Sequence, residues 1–215
     1  MTPNRAPVIV VVDDHTLMGE VLALTLRQRG YEAYYLSAIG ITCDRITTVD
    51  PALVLLDIAF GDNSRGGLDL LKTLVKDVPL VAMLTGVDDR TVLAEAIAGG
   101  AAGIIGKHES IDEVISRVDV LLSQGSSITP ADRDRAAVLV ASKRAKQLSR
   151  EERLSALTER ERNVLEQVSA GASVTEIANN ECVSLATVRT HVRAVLQKLD
   201  VHSQVAAVAF YLDRN

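Results

Sequence analysis

The sequence predicts an α/β fold, a doubly wound parallel sheet of five strands, followed by a small all-α domain. Short apolar runs alternate with helical patterns over residues 1–124, which is typical of a parallel sheet with right-handed crossovers. Residues 152–215 contain four short helical patterns, and the basic stretch between, 125–151, has the pattern of one helix. We therefore expect two domains, at 1–124 and 152–215, joined by a helical linker at 125–151.

Most strand segments are apolar runs that include β-branched residues, as expected for strands that are buried on both faces of a sheet. In chain order they read VIVVV, YEAYYL, LVLLD, LVAMLT and AAGIIG. YEAYYL is the most polar of them and is expected at an edge. The intervening helical patterns end at recognisable stop signals such as Gly30 and Pro79. Ser110 and Glu113 predict a capping box at the start of the last helix of this domain.

The composition is that of an ordinary globular protein. Hydrophobic residues make up 47% of the 215 residues and charged residues 24%, which argues against a disordered chain. No apolar run approaches the roughly 20 residues that a membrane span needs, and the N-terminus lacks the apolar segment of a signal peptide. We therefore expect a cytoplasmic protein without a membrane partner. Cys43 and Cys182 lack partners at metal-ligand spacing, so both are expected to be buried as small hydrophobic residues.

Polar residues stand at the carboxyl ends of four predicted strands. Asp13 and Asp14 close the first strand, Asp57 the third and Thr85 the fourth, while Lys107 follows the fifth. Because the carboxyl ends of parallel strands meet at one edge, these side chains should converge. Three carboxylates in a partly dry cleft repel one another unless a cation binds there. Oxygen ligands suit Mg²⁺, and the added lysine and hydroxyl suit a phosphoryl group carried by a carboxylate nucleophile.

With these residues, the first half resembles the receiver domain of two-component response regulators, which has a flavodoxin-like fold. The resemblance implies that Asp57 accepts phosphate from a sensor histidine kinase. It also implies that Thr85 is the switch hydroxyl and that Lys107 is the ion-pair partner of the phosphate. The Mg²⁺ ligands that it implies are Asp13, Asp14, the Asp57 carboxylate and the carbonyl of Ala59.

Two features depart from the usual receiver pattern. The switch position three residues before the lysine is commonly aromatic, and here it is Ile104. After Asp57, where receivers usually have a Met-Pro turn, the chain reads IAFGDNSRGG, with extra residues before Gly67 and an additional acid, Asp62. The first departure concerns the Thr-aromatic relay and the second concerns kinase docking, while the residues that carry the chemistry are intact.

The last third begins each of its helical patterns with Ser or Thr, the preferred N-cap residues. These caps are Thr158, Ser173, Ser184 and Ser203. Four short helices with tight turns predict a helix-turn-helix module. From Ser184 to Leu199 there are three basic residues and no acid, the pattern of a helix that enters the major groove of DNA.

This third closely resembles the LuxR-type DNA-binding domain, which follows a receiver in regulators of the NarL/FixJ type. The segments LTERERNVL, EIA, TVRTHVRAVLQKL and AVA carry the resemblance. It implies that Arg189, Thr190 and Arg193 contact bases, and that Thr187 and Lys198 lie nearer to phosphates.

The last helix offers an apolar stripe that is larger than a small module needs. Its members are Val205, Val208, Ala209 and Leu212. The resemblance makes this stripe the surface of a homodimer, whereas packing within its own domain is the simpler alternative.

Together these patterns predict a phosphorylation-controlled transcriptional regulator that binds double-stranded DNA as a dimer and is not a turnover enzyme. Two alternatives are open. One is a regulator whose receiver works without phosphate and responds to a protein or a small ligand. The other is a phosphohydrolase with Asp13 as the nucleophile. Such enzymes have Asp-x-Asp after the first strand, whereas here the acids are adjacent and followed by His15.

Overall fold

The computed structural model describes residues 6–61, 63–86 and 88–213. The chain forms two compact units that divide between Ala141 and Ser142. Asp62, the additional acid of the loop after the third strand, lies outside the described residues. No helix among the described residues is long and apolar enough to cross a membrane.

The first unit contains the predicted sheet, with all its strands parallel and in the order β2-β1-β3-β4-β5. The strands are β1 (Val8–Asp13), β2 (Glu32–Ser37), β3 (Leu53–Asp57), β4 (Val81–Thr85) and β5 (Gly103–Gly106). The helices are α1 (Thr16–Gln28), α2 (Cys43–Thr47), α3 (Gly66–Leu74), α4 (Arg90–Ala98) and α5 (Ile111–Gln124). The doubly wound fold is thus confirmed, with β2 at an edge as expected.

Alternate residues of the strands supply the two apolar layers that cover the sheet. Ile9 and Val11 of β1 pack on one face with α1 and α5, and Val10 and Val12 pack on the other face with α2, α3 and α4. Every residue of β1, β3 and β4 is buried, because helices cover both faces. The central strands therefore hold their carboxyl ends in fixed positions.

A single long helix, α6 (Pro130–Ser155), begins in the first unit and ends in the second. Thr129 and Pro130 begin it as the sequence indicates, with the Asp132 amide donating to Thr129 Oγ1 at 3.2 Å. Its last residues belong to the second unit. The segment predicted as a linker, 125–151, therefore contributes residues to both units.

The second unit contains four short helices, which confirms the predicted helix-turn-helix module. They are α7 (Glu159–Ser169), α8 (Val174–Asn180), α9 (Leu185–Leu199) and α10 (Gln204–Leu212). The side chains of Thr158, Ser173, Ser184 and Ser203 accept the N-terminal amides, as predicted. Val164, Ile177, Val188 and Val192 form one part of the core.

Two arginines near the end of α6 complete this second unit. The Nε and Nη2 atoms of Arg150 donate to the Phe210 carbonyl at 2.9 and 2.6 Å, and the guanidinium lies 5.5 Å from the centroid of the Phe210 ring. Arg153 Nη1 donates to the Leu199 carbonyl at 3.0 Å. Carbonyls in the last turns of α9 and α10 lack intrahelical partners, so the α6 arginines satisfy them.

The prediction that both cysteines are buried is wrong. Cys182 is exposed, and Cys43 is half-buried. Cys182 lies in the turn between α8 and α9 with φ at 53°, outside the helices that form the core of this unit.

Candidate functional site

The polar residues at the strand ends do converge at the carboxyl edge of the sheet. Lys107 Nζ lies 2.8 Å from Asp13 Oδ2 and 2.7 Å from Asp57 Oδ2. Thr85 ends β4 beside them, and its carbonyl accepts the Lys107 amide at 2.7 Å. Asp13 has no exposed surface, and Asp57 and Thr85 are 4% and 5% exposed. One lysine therefore joins two buried carboxylates.

Burial and the neighbouring charges shift the pKa values of Asp57 and Lys107 in opposite directions. Burial raises the pKa of Asp57, and the Lys107 ammonium only partly offsets that effect. Burial also acts to lower the pKa of Lys107, but its hydrogen bonds to Asp13 and Asp57 outweigh this, so the pKa of Lys107 is raised. The lysine therefore keeps its charge between the two buried carboxylates.

Asp14 is more accessible and is held from two sides. Its Oδ2 accepts the amide of Gly61 at 3.0 Å, and this bond is the largest reason why the pKa of Asp14 is lowered. Its Oδ1 lies 2.7 Å from Nδ1 of His15. The His15 amide donates to Asp13 Oδ1 at 2.8 Å. The loop after β3 and the start of α1 thus fix the acidic pair.

The loop after β3 folds back tightly onto Asp57. Phe60 and Asn63 pair their backbones in a small antiparallel turn, with both hydrogen bonds at 3.2 Å. The Gly67 amide then donates to the Ile58 carbonyl at 2.9 Å. A Cβ atom on Gly67 would lie 1.9 Å from the Asp57 carbonyl oxygen. Only glycine permits this close approach of the loop to Asp57.

The donor set at this edge fits a divalent cation. Asp13, Asp14, His15 and Asp57 each offer one atom, and these four atoms lie within 4.8 Å of one another. Hard carboxylate oxygens suit Mg²⁺. The Ala59 amide lies 3.4 Å from Asp57 Oδ1, which places Ala59 at the same edge. The structure therefore brings together all the residues for which the sequence predicts a metal site.

The predicted switch position, Ile104, lies in the middle of β5. It is half-buried and packs with the apolar layer of α2, α3 and α4. Its neighbour across the sheet is Met83 of β4. An aliphatic side chain thus occupies the strand next to Thr85.

In the second unit, α9 presents the predicted DNA-contacting residues to solvent. Val188 and Val192 face the core, whereas Thr187, Arg189, Thr190 and Arg193 are exposed. Neither arginine forms an ion pair with any residue that the structure describes. Their guanidinium groups are therefore available to an anionic partner.

Three of the predicted contacts already have partners within this unit. Lys198 Nζ lies 2.6 Å from Glu161 Oε2 on α7. Thr187 Oγ1 lies 2.8 Å from Ser184 Oγ at the start of the helix, and Thr190 Oγ1 donates to the Ala186 carbonyl at 2.9 Å. Although burial opposes it, the pairing with Lys198 lowers the pKa of Glu161. Lys198 thus connects α7 to α9.

The apolar stripe of α10 lies mostly on the surface. Val205 is 79% exposed and Leu212 60%, Ala209 is also exposed, and Val208 is half-buried. The opposite side of the helix supplies Ala207 and Phe210 to the core. This arrangement argues against the simpler alternative of packing within the domain.

Comparison with known families agrees with both units. The family model of the response regulator receiver domain matches residues 9–119, and the model of bacterial regulatory proteins of the luxR family matches residues 155–211. The chain belongs to the response regulators.

Several curated response regulators and other transcriptional regulators are similar over almost the whole length. The nitrate/nitrite response regulator protein NarP of Escherichia coli is 31% identical, covering 99% of this chain and 98% of its own. The glycerol metabolism activator of Pseudomonas putida is 30% identical over 93% of this chain and 92% of its own. Among solved structures, the complex of the response regulator RcsB with DNA has a TM-score of 0.48 and 19% identity, covering 98% of this chain and 100% of that one.

Three residues at the carboxyl edge of this response regulator were not predicted as part of the site. They are His15, whose imidazole lies among the carboxylates, Gly61, whose amide holds Asp14, and Gly67, which lets the loop approach Asp57. The position of His15 directly after the acidic pair was a usable signal. The roles of the glycines depend on a loop path that periodicity does not show.

Proposed function

We propose that this response regulator accepts a phosphoryl group on Asp57 from a sensor histidine kinase, with Mg²⁺ at the acidic edge, and that phosphorylation favours a dimer that binds double-stranded DNA. The observation that supports it most is the convergence of Asp57 with Lys107 and the acidic pair. Asp13 is less suited as a nucleophile, because it has no exposed surface, its Oδ2 is ion-paired with Lys107 and its Oδ1 accepts the His15 amide.

In the proposed transfer, an Asp57 oxygen attacks the phosphorus of the phosphohistidine, the P–N bond breaks, and Asp57 becomes an acyl phosphate. Lys107 is positioned to balance the added negative charge through a charge-assisted contact. Asp14, Asp57 and the Ala59 carbonyl, with Asp13 beside them, would hold Mg²⁺, which when bound neutralises charge on the phosphoryl oxygens. Thr85 and Ile104 are proposed to carry the change to the rest of the receiver.

Phosphorylation of Asp57 is the first prediction. Incubation with a small-molecule phosphodonor and Mg²⁺ should add one phosphate, seen in the intact mass, because the nucleophile and its counter-charge are preassembled. Asp57→Asn should remain unmodified. Asp69→Asn, which changes an exposed carboxylate on α3, is the matched control and should be modified like the original protein. Failure with both a donor and the cognate kinase would favour a receiver that works without phosphate.

The same preparations should not turn over a generic phosphomonoester, because the phosphoryl group stays on the protein and is lost only slowly. Steady turnover that survives Asp57→Asn and stops in Asp13→Asn would instead identify a phosphohydrolase.

Assembly is the second prediction, since Asp57 and the proposed DNA-binding helix α9 belong to different units. Phosphorylation should raise the dimer fraction in sedimentation, together with the affinity for operator DNA. A shift from mostly inactive to mostly active protein requires about 5.5 kcal/mol of differential interaction. We expect measurable basal binding as well, because Ile104 lacks the two ring positions of an aromatic switch.

The α10 stripe provides the variant for this test. Leu212→Glu should prevent dimer formation without unfolding the domain, because the side chain is 60% exposed. Ile39→Glu is the control, since Ile39 is 72% exposed in a loop of the receiver. If phosphorylated and unphosphorylated protein sediment identically and bind the operator equally, the proposed switch is wrong.

A further inference from the structure

His15 lies among the carboxylates of the receiver, although the function proposed above does not use it. Its Nδ1 atom is 2.7 Å from Asp14 Oδ1 and 3.2 Å from Asp13 Oδ1. The side chain is 72% exposed, so the ring is held at the mouth of the site and not within the core.

One ring nitrogen of His15 faces both carboxylates of the acidic pair. The imidazole is aligned for a hydrogen bond with Asp13 Oδ1. Asp14 Oδ1 is buried, and the same Nδ1 atom lies 2.7 Å from it. A ring nitrogen that lies beside one oxygen of each carboxylate is well placed to share a bound cation with them.

The spacing of these atoms suits adjacent positions around one cation. Octahedral ligands about 2.1 Å from a metal lie about 3 Å from their neighbours, and the two distances from Nδ1 fall on either side of that value. The imidazole nitrogen belongs to the set of four ligand atoms that lie within 4.8 Å. The geometry therefore gives the acidic edge a nitrogen donor in addition to its oxygens.

We propose that His15 is a ligand of the cation at this edge, and that the site consequently prefers a divalent transition metal such as Co²⁺ to Mg²⁺. Imidazole is a good ligand for transition metals, whereas Mg²⁺ favours oxygen ligands and water. The inference rests on the proposed function only in requiring that a cation binds at the acidic edge.

Calorimetric titration of the full-length protein with Mg²⁺ and with Co²⁺ tests the proposal. His15→Asn should lower the affinity for Co²⁺ by about tenfold or more and leave the affinity for Mg²⁺ within experimental error. His202→Asn removes an exposed histidine of the other unit and should change neither affinity. Circular dichroism checks that both variants are folded.

A spectroscopic readout separates ligation from an indirect effect. Mn²⁺ bound to the original protein should show the ¹⁴N hyperfine coupling of a directly bound imidazole in electron spin echo spectra, and His15→Asn should lose it. His15→Asp, which supplies oxygen instead of nitrogen, should also lose the coupling but retain Mn²⁺.

The outcomes are distinguishable. Unchanged Co²⁺ affinity in His15→Asn, together with no ¹⁴N coupling in the original protein, would show that His15 is not a ligand. If Mg²⁺ still binds in that case, the proposed function is unaffected. If the original protein binds none of these ions, both the His15 assignment and the cation in the proposed function fail.

Discussion

Replacing Lys107 with Met is expected to destabilise the receiver by about 3–5 kcal/mol at neutral pH in the presence of a chelator, the cost of leaving buried charges uncompensated. The lysine lies within 2.8 Å of both Asp13 and Asp57, and neither carboxylate is more than 5% exposed. Removing it leaves two like charges in a dry site without their shared cation.

The loss of stability in Lys107→Met should depend on pH in a characteristic way. The pKa of Asp57 is already raised, and loss of Lys107 should raise it further. A carboxylate whose folded pKa lies above its unfolded value lowers stability as the pH rises from the unfolded value to the folded value, and the loss is complete above the folded value. The variant should therefore regain stability as the pH falls through that raised pKa. The raised pKa of Lys107 means that the original protein keeps the lysine's contribution below about pH 10.5 and loses it above.

Urea unfolding followed by circular dichroism measures these differences. Lys72→Met is the matched control, because Lys72 and its partner Asp69 are both 66% exposed and an exposed pair contributes only about 0–1 kcal/mol. Added Mg²⁺ should restore part of the stability of the Lys107 variant, because it supplies positive charge to the same carboxylates. Equal losses in both lysine variants would contradict the assigned role.

Removing Arg189 and Arg193 together should abolish the preference of the regulator for its operator. Each arginine is exposed and free of ion pairs with the described residues, and a guanidinium paired with guanine contributes about 1–3 kcal/mol of discrimination. The two are one helical turn apart on α9, so single and double variants are needed to show whether their effects add.

Fluorescence anisotropy with an operator selected from random DNA, and with a scrambled duplex, measures this loss. Arg160→Ala is the control, because it removes the same charge from α7, where the side chain is 73% exposed. Arg160→Ala should lower the affinity for the operator and for the scrambled duplex slightly and by the same factor. Unchanged operator affinity in the double arginine variant would rule out α9 as the reading helix.

Lys198 distinguishes a phosphate contact from a structural one. If it contacts phosphate, Lys198→Gln should weaken binding to all sequences alike and reduce the salt slope by about one. The ion pair with Glu161 provides a second possible source of lost affinity, which would leave the slope unchanged and lower the stability of the domain. The salt series in the same anisotropy experiment separates these cases.

Much of the receiver could be predicted because its signals are local. Apolar runs mark strands that are buried on both faces, and the rule that parallel strands share a carboxyl edge brings Asp13, Asp57 and Lys107 together without knowledge of any contact. The Ser and Thr caps of the second unit are equally local, since each side chain accepts the amide three residues further on.

What could not be predicted depends on residues that are distant in the sequence. The close approach of Gly67 to the Asp57 carbonyl requires knowledge of the path of the intervening loop. The Lys198–Glu161 pair joins two helices through residues that are 37 positions apart in the sequence.

Two other differences have local causes. Cys182 was expected in the core because of its residue type, but it lies in the exposed turn between α8 and α9. Short helix α2 gave no periodic signal, since it has only five residues.

The arginines of α6 affect how this DNA-binding domain can be transplanted. The stretch that matches the luxR family model begins at residue 155, yet Arg150 and Arg153, which close the ends of α10 and α9, precede it. A chimera joined at residue 155 would contain α9 and α10 without the hydrogen bonds to their terminal carbonyls, unless the linker of the other protein supplied equivalent arginines. Fusion junctions for engineered sensors built from this regulator should therefore be placed before Arg150, so that the transferred domain keeps both arginines that bond the carbonyls at its helix ends.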